Sequence, residues 1–559
     1  MDDLSTYAAT LPHMETQRIQ GNLVDILARR ITAVEIRIQG GQITAIEQLS
    51  EVVEGYILPG FIDAHVHIES SMLTPSSFAR LAVVHGTVAT VSDPHEIANV
   101  LGVAGVGYMI DNGAQVPFHF FFGAPSCVPA TVFETAGARI DAEAIGELMA
   151  RPEILYLSEV MDFPGVINGD PEVLKKLEHA RLWDKPVDGH APGLRGEAAE
   201  RYIQGGLGPG QVGISTDHEC FTLEEALDKL RYGMKISIRE GSAAKNLEAL
   251  MPLLVSHPDK VMLCTDDMHP DRLVQGHIND LCARCVAEGV DVFNVLKAAC
   301  INPVEHYELP VGQLRVGDPA DFIVVEDLVS FRVKRTYIAG ELVAEEGISH
   351  IAHVQASRPN NFNCTPKRVA DFLVPAQDDQ VLAMEALDGQ LITHKRFLHG
   401  KLEGNALVPD LEQDLLKIAV VNRYRDAPLA LGWIRNIGLK RGAIASSVAH
   451  DSHNIVAVGT NDDDLCAAVN AVIEARGGIS LVDAARRMVL PLPVAGIMTD
   501  ADPYEVAKDY AAMDRAAKEL GSTLSAPYMT LSFMALLVIP HLKMSDKGLF
   551  DGDDFRLVE

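Results

Sequence analysis

Between residues 59 and about 303, eight short apolar runs of β character recur, separated by stretches with helical periodicity. The first ends in His65 and His67. The others are Gly86 to Val91, Phe118 to Phe122, Ile154 to Leu157, Lys185 to Val187, Gly213 to Thr216, Lys235 to Ile238 and Val261 to Cys264. Parallel strands need long crossover connections, usually helices, so this alternation predicts a parallel sheet closed into a (β/α)8 barrel. In such a barrel the chemistry sits at the C-terminal ends of the strands.

A chain of 559 residues exceeds what one core usually supports, so further units are expected. Ile31 to Ile38 alternates in hydropathy, Gly40-Gly41 turns the chain, and Ile43 to Ile46 returns as a hairpin partner. Residues 306 to 345 regain β character after the barrel segment. The expected organisation is therefore a β-sandwich built from residues 1–58 and 304–358, with the barrel at 59–303 inserted between them. Pro359 to Asn363 reads as a linker. Beyond it, residues 365–559 mix strands such as Ile418–Val421 and Ile455–Val458 with helices such as Asp464 to Glu474. The fold class is thus α/β: a metal-dependent (β/α)8 barrel, a flanking β-sandwich and a C-terminal α+β domain.

The barrel reading gives several polar residues a common position. Pro59 and Gly60 turn the chain into the first strand, and His65 and His67, two residues apart, point to the same side of it. Neutral imidazoles so placed reach one metal ion together, and Asp63 is expected on the same face. Glu159 closes the fourth run, His190 the fifth, His218 the sixth and Asp266 the eighth. Each taken singly also reads as a hydrogen-bonded buried polar group. Four histidines and two carboxylates converging at strand ends are expected to hold two divalent cations, with Glu159 between them and an activated water. Three other patterns carry less. Cys282 and Cys285 lack the second pair that a zinc site needs and read as a helix face. Gly205 to Gly210 lacks the Lys-Ser/Thr of a phosphate loop. His450-Asp-Ser-His453 reads as a hydrogen-bonded turn.

Several long motifs then point to a family. Pro59 to Ser71, Asp93-Pro-His-Glu-Ile-Ala-Asn99, Ser126-Cys-Val-Pro-Ala130, Glu159 to Val166, Asp188-Gly-His-Ala-Pro-Gly193, Ile238 to Ala244 and Cys264-Thr-Asp-Asp267 resemble the amidohydrolase superfamily, and within it the adenine deaminase branch. The resemblance runs from about residue 22 to the C-terminus. It implies a binuclear manganese- or iron-type centre, with zinc also accepted by such ligands, and hydrolysis of adenine to hypoxanthine and ammonia in purine salvage. Hydantoinase- and dihydroorotase-like members usually bridge their metals with a carboxylated lysine; Glu159 at the corresponding strand end favours the deaminase branch. The expected ligands are His65, His67, Glu159, His190, His218 and Asp266. Deamination also needs a base for the attacking water and an acid for the ring. Asp266 is expected as the base and Glu219 as the acid, with Asp93, His95 and Glu96 as competitors for the second role. Glu96, Ser126, Arg239 and Glu240 are expected to line the substrate end. Two other readings are a cyclic-amide hydrolase and a non-catalytic barrel scaffold.

A formal net charge of −30 repels phosphate backbones and anionic headgroups, so nucleic-acid and membrane partners are not expected. No apolar run approaches a membrane span and the start lacks a signal-like stretch, so a cytoplasmic protein is expected. A homo-oligomer is the expected assembly, although the sequence does not fix its state.

Overall fold

The computed structural model describes residues 16–51, 53–376 and 379–558. Residues 1–15, where the expected first unit begins, and Glu559, where the last ends, lie outside the described residues. Each of the eight barrel runs overlaps a strand, although Lys185 to Val187 and Gly213 to Thr216 do so by one residue only, the strands there lying further along the chain. In chain order they are β5 (Phe61–Val66), β6 (Thr87–Ser92), β7 (His119–Ala124), β8 (Ile154–Val160), β9 (Val187–Gly189), β10 (Thr216–Asp217), β11 (Lys235–Arg239) and β12 (Val261–Cys264). Each pairs in parallel with its neighbours in sequence, giving an eight-stranded sheet whose order is the chain order.

The barrel is nearly closed, and its seam depends on side chains as much as on backbone. Between β12 and β5 there is a single parallel bridge, Val66 with Asp266. Asp266 N donates to His65 O at 2.9 Å, and His67 N to Asp266 O at 3.2 Å. Asp63, fully buried, completes the seam. Its Oδ1 accepts from Thr265 N at 2.9 Å and its Oδ2 from Thr265 Oγ1 at 2.5 Å, and His277 Nε2 lies 3.0 Å from the same Oδ2. Asp63 therefore faces the last strand, whereas the sequence places it beside the two histidines. The very short β9 and β10 are held in a similar way. Asp217 accepts from Ala191 N at 2.9 Å, from Glu219 N at 3.1 Å and from Lys229 Nζ at 2.9 Å, which ties together the loops that leave both strands.

The flanks of the barrel join in one sheet. β1 (Gln17–Asp25), β2 (Arg30–Gln39), β3 (Gln42–Gln48) and β4 (Tyr56–Pro59) precede the barrel; β13 (Phe322–Val325), β14 (Val333–Ile338), β15 (Glu341–Glu345) and β16 (Ile348–Ser349) follow it. The order is β16-β15-β14-β13-β4-β1-β2-β3, so the halves meet where β4 pairs antiparallel with β13. The sheet curls until Ile43 N donates to Asp318 O at 3.0 Å. Ile36, Ile38, Phe322 and Tyr337 consequently share one buried cluster. β1, which runs from residue 17, is not apparent in the sequence because its hydropathy barely alternates.

Beyond residue 368 a third eight-stranded sheet forms, ordered Thr393–His399, Gln380–Ala386, Ala430–Arg435, Leu415–Val421, Ile455–Gly459, Ala443–Ser446, Gly478–Asp483 and Arg486–Pro491. The helix Asp462–Ala475 packs on it; Asn461 caps its N-terminus by accepting from Asp464 N, and Asp462, Asp463 and Asp464 suit the positive end of the helix dipole. The connector at 359–363 has no regular structure but is firmly held. Ala495 N donates to Pro359 O at 2.7 Å, and the fully buried Arg423 donates to Ala495 O at 2.5 Å and Asn361 O at 3.3 Å. The C-terminal sheet region docks on the barrel near its first strand, where Thr499 N donates to Met72 O at 2.9 Å and Thr74 N to Thr499 O at 3.3 Å. No described helix is long and apolar enough to cross a membrane.

Removing Asp63 leaves His277 and Thr265 without their buried partner, a loss of about 3–5 kcal/mol for a broken buried pair. Asp63→Ala should therefore lower the urea midpoint of unfolding markedly; an unchanged midpoint would show that the seam does not depend on it. A second test concerns Lys543, which is fully buried and donates to Leu391 O at 2.5 Å and Phe533 O at 2.8 Å. Burial pushes its amine down from 10.5 to about 7. Between those values the unfolded chain binds the proton and the folded chain does not, so this group makes stability rise with pH from about 7 to 10.5. The stability gap between Lys543→Met and the native chain should shift in that window, and a gap constant from pH 6 to 10 would contradict the assignment.

Candidate metal centre

Five of the eight barrel strands deliver the expected ligand residues to one buried cluster. His65 lies in β5, one residue before its end, and His67 follows the strand; Glu159 lies in β8; His190, His218 and Asp266 directly follow or nearly follow β9, β10 and β12. All six are at most 4% exposed. His65 Nε2 and His67 Nε2 face each other at 3.2 Å, and Asp266 Oδ1 lies 3.6 and 3.2 Å from them. Glu159 sits between two groups. Its Oε1 is 3.4 Å from His67 Nε2, while its Oε2 is 2.8 Å from His190 Nδ1 and 3.3 Å from His218 Nε2. The rings of His65 and His218 stack at 4.0 Å.

The donor set fits metal cations. Two imidazole nitrogens 3.2 Å apart share at most one proton, and the remaining lone pairs and carboxylate oxygens converge on small volumes away from water. His65, His67 and Asp266 form one group of mutually close ligand atoms, and His65, Glu159 and His218 another. Burial disfavours protonation of His67 and His218, yet the surrounding charges, with bonds from Asp266 and Glu159 among the main ones, leave both well above the ordinary histidine value. The cluster attracts positive charge. Nitrogen and carboxylate ligands suit manganese, iron and zinc alike.

Arg239, at 2% exposure, underlies the cluster. Nη1 reaches Asp266 Oδ2 at 2.6 Å, while both guanidinium nitrogens clamp Glu219, with Nη2 2.9 Å from Oε2. Burial alone would raise the Glu219 carboxyl; Arg239 overrides it and holds the group down to about 2. The same competition leaves Asp266 well below the usual carboxylate range.

The other expected residues divide. Asp93 Oδ1 accepts from Ser158 Oγ at 2.7 Å and from His95 N at 3.1 Å, and Asp93 belongs with His67, His95 and Glu159 to one cluster of close ligand atoms. Glu96 faces the cavity at the mouth of the centre, as do Glu219 and Arg239. Ser126 and Glu240 do not line that cavity. Ser126 donates its hydroxyl to Glu159 O at 2.5 Å and opens on a neighbouring cavity of about 350 Å³. Glu240 follows Arg239 on the strand, so alternation turns it outward to Arg284 Nη1 at 2.7 Å.

The cavity also gathers residues that the motifs did not single out as site residues: Met161, Asp267, Leu391, His450, Asp451 and Leu536. The last four come from the C-terminal region. His450 Nδ1 and His453 Nε2 each bond one oxygen of Glu96. The His450–His453 segment is thus a hydrogen-bonded turn whose side chains reach the barrel, where the sequence offers no second cluster to support it. Asp267 accepts from Ser70 Oγ, and burial raises its carboxyl, an effect that Asp266 reinforces and His450 opposes. Cys282 and Cys285 lie buried as free thiols along one helix, Ile278–Ala287.

Comparison with known proteins agrees with this arrangement. Residues 56–343 match the model of the amidohydrolase family, and residues 390–556 that of the adenine deaminase C-terminal domain. A protein named adenine deaminase from Salinibacter ruber is 55% identical over 97% of this chain and 98% of its own length. Relatives of the same name from Sulfurovum sp. and Methanosarcina acetivorans are 54% and 51% identical over 97% and 96% of this chain, and over 99% and 98% of their own lengths. With both family models matched and relatives 51–55% identical over nearly the whole chain, the chain belongs to the adenine deaminase family of the amidohydrolase superfamily.

Proposed function

We propose that this protein hydrolyses free adenine to hypoxanthine and ammonia, in purine salvage, at a centre that takes two divalent cations of the manganese, iron or zinc type. The observation that carries the reading is Glu159 lying between two groups of nitrogen ligands, in a chain that full-length adenine deaminases match at more than half of its positions. His65, His67 and Asp266 would hold one cation and His190 and His218 the other, with Glu159 shared between them. When bound, such cations lower the pKa of a water molecule and so supply a nucleophile at neutral pH.

The chain's own groups do the rest. Asp266, kept ionised by Arg239, accepts the proton of the attacking water and passes it to the departing amine. Ring protonation needs a group that still carries a proton. Glu219 was the expected acid, but its clamp by Arg239 favours the carboxylate, and it serves here to fix Arg239. Asp93 holds Ser158 and the His95 backbone through Oδ1, while its Oδ2 lies 3.2 Å from His95 Nδ1, so it orients the β6 loop and that ring. Asp267, raised by burial and facing the cavity, is the group assigned to the ring nitrogen. Met161, Leu391 and Leu536 provide apolar surface for a flat heterocycle, and Glu96 borders the substrate end. Ser126 and Glu240 are left out of substrate contact.

Asp266→Asn keeps the volume and removes the base. Turnover of adenine, followed as ammonia release with manganese supplied, should fall by about 10²–10⁴-fold or more, with circular dichroism unchanged. Near-native turnover in that variant would remove Asp266 from the mechanism. Hydrolysis of a hydantoin or dihydropyrimidine without adenine turnover would favour the cyclic-amide reading instead.

A further inference from the structure

We infer that a third divalent cation binds between the barrel and the C-terminal sheet region, held by His95, Glu96 and Asp451. His95 and Glu96 open the helix that follows β6, and Asp451 comes from the loop after the strand Ala443–Ser446. His95 Nε2 lies 3.5 Å from Glu96 Oε1 and 3.6 Å from Asp451 Oδ1, and these three ligand atoms form a cluster of their own, while the other ring nitrogen, Nδ1, faces the group of His67, Asp93 and Glu159, 3.4 Å from Glu159 Oε1.

Three observations besides proximity point to a ligand. The first is that His95, at 3% exposure, makes no aligned hydrogen bond through either ring nitrogen. Its Nδ1 lies 3.2 Å from Asp93 Oδ2, which suits a proton on that nitrogen and leaves the Nε2 lone pair directed at the two carboxylates. Asp451 Oδ2 and His450 Nε2 are also buried without a hydrogen-bond partner. Orphaned atoms of this kind are costly unless something else satisfies them. The second is the support given to Glu96. His450 and His453 each occupy one of its oxygens, fixing the carboxylate while leaving further lone pairs free, as outer partners of metal-binding carboxylates do. The third is an excess of buried carboxylate. Glu69 and Glu134 are at most 4% exposed, and each has one oxygen without a hydrogen-bond partner. A cation at His95 would offset the negative charge gathered there.

Nitrogen and carboxylate donors of this kind accept manganese, iron or zinc, with water completing the coordination. The consequence is structural as well as chemical, since the ion would join two segments more than 350 positions apart in the chain. It is independent of which substrate is turned over.

The test is a count and a location. Full-length protein produced with manganese and dialysed free of loose ion should contain three manganese ions per chain by elemental analysis. An anomalous diffraction map should place one of them among His95, Glu96 and Asp451. Asp451→Asn should bring the count to two and remove that peak alone. Two ions in the native protein, a third peak elsewhere, or a variant that keeps the peak would each overturn the proposal. If Asp451→Asn does not fold, the native map decides. Three ions without adenine turnover would refute the deaminase reading and leave this one standing; two ions with turnover would do the reverse.

Discussion

The site depends on where the first and last barrel strands meet, and that seam rests on a buried carboxylate. Asp63 takes two hydrogen bonds from Thr265 and lies against His277, which in turn bonds Thr87 on the second strand. A carboxylate removed from water is costly unless every oxygen is partnered. This one is, so the register of β5 against β12 has little freedom. His65 and His67 on one side and Asp266 on the other are thereby set 3.2–3.6 Å apart.

Charge is the second constraint. The six candidate ligands bring two carboxylates into the centre, Glu219 adds another, and Arg239 is the buried cation that holds Glu219 and Asp266 ionised. A guanidinium presents its donors in a fixed fork, so it partners both acids at once without approaching the histidines. That leaves the imidazoles for cations. The same logic extends outward, where His450 and His453 secure Glu96 at the edge of the cavity.

The C-terminal region therefore does more than cover the barrel. Leu391 and Leu536 close the cavity with apolar surface, while His450 and Asp451 add polar groups to it. Lys543 braces the backbone at Leu391 from behind. A barrel without this unit would lack one wall of its own site, which gives a physical reason for the two family models to occur together in one chain.

Most barrel strands were legible as short runs rich in apolar residues, as burial on both faces demands, whereas β9 and β10 are two or three residues long and polar, and the runs read there overlap them by one residue. The ligands were legible because they fall at strand ends, where the barrel geometry assigns them a direction. Local pattern reaches no further than one element. Alternation along β11 sends Arg239 inward and Glu240 outward, yet only the packed strand shows which side is which. Asp63 lies two residues before His65 and was expected on the same face, but Thr265, 202 positions away, supplies the partner that turns it to the seam. His450 and Asp451 sit in a polar turn with nothing nearby to mark them; their partners, Glu96 and His95, are contributed by the barrel. The sequence by itself determined the barrel order and the kinds of donor side chain near the strand ends, because these depend on periodicity and residue identity. Tertiary structure alone decided which polar groups share the cavity, because that depends on contacts closed across hundreds of residues.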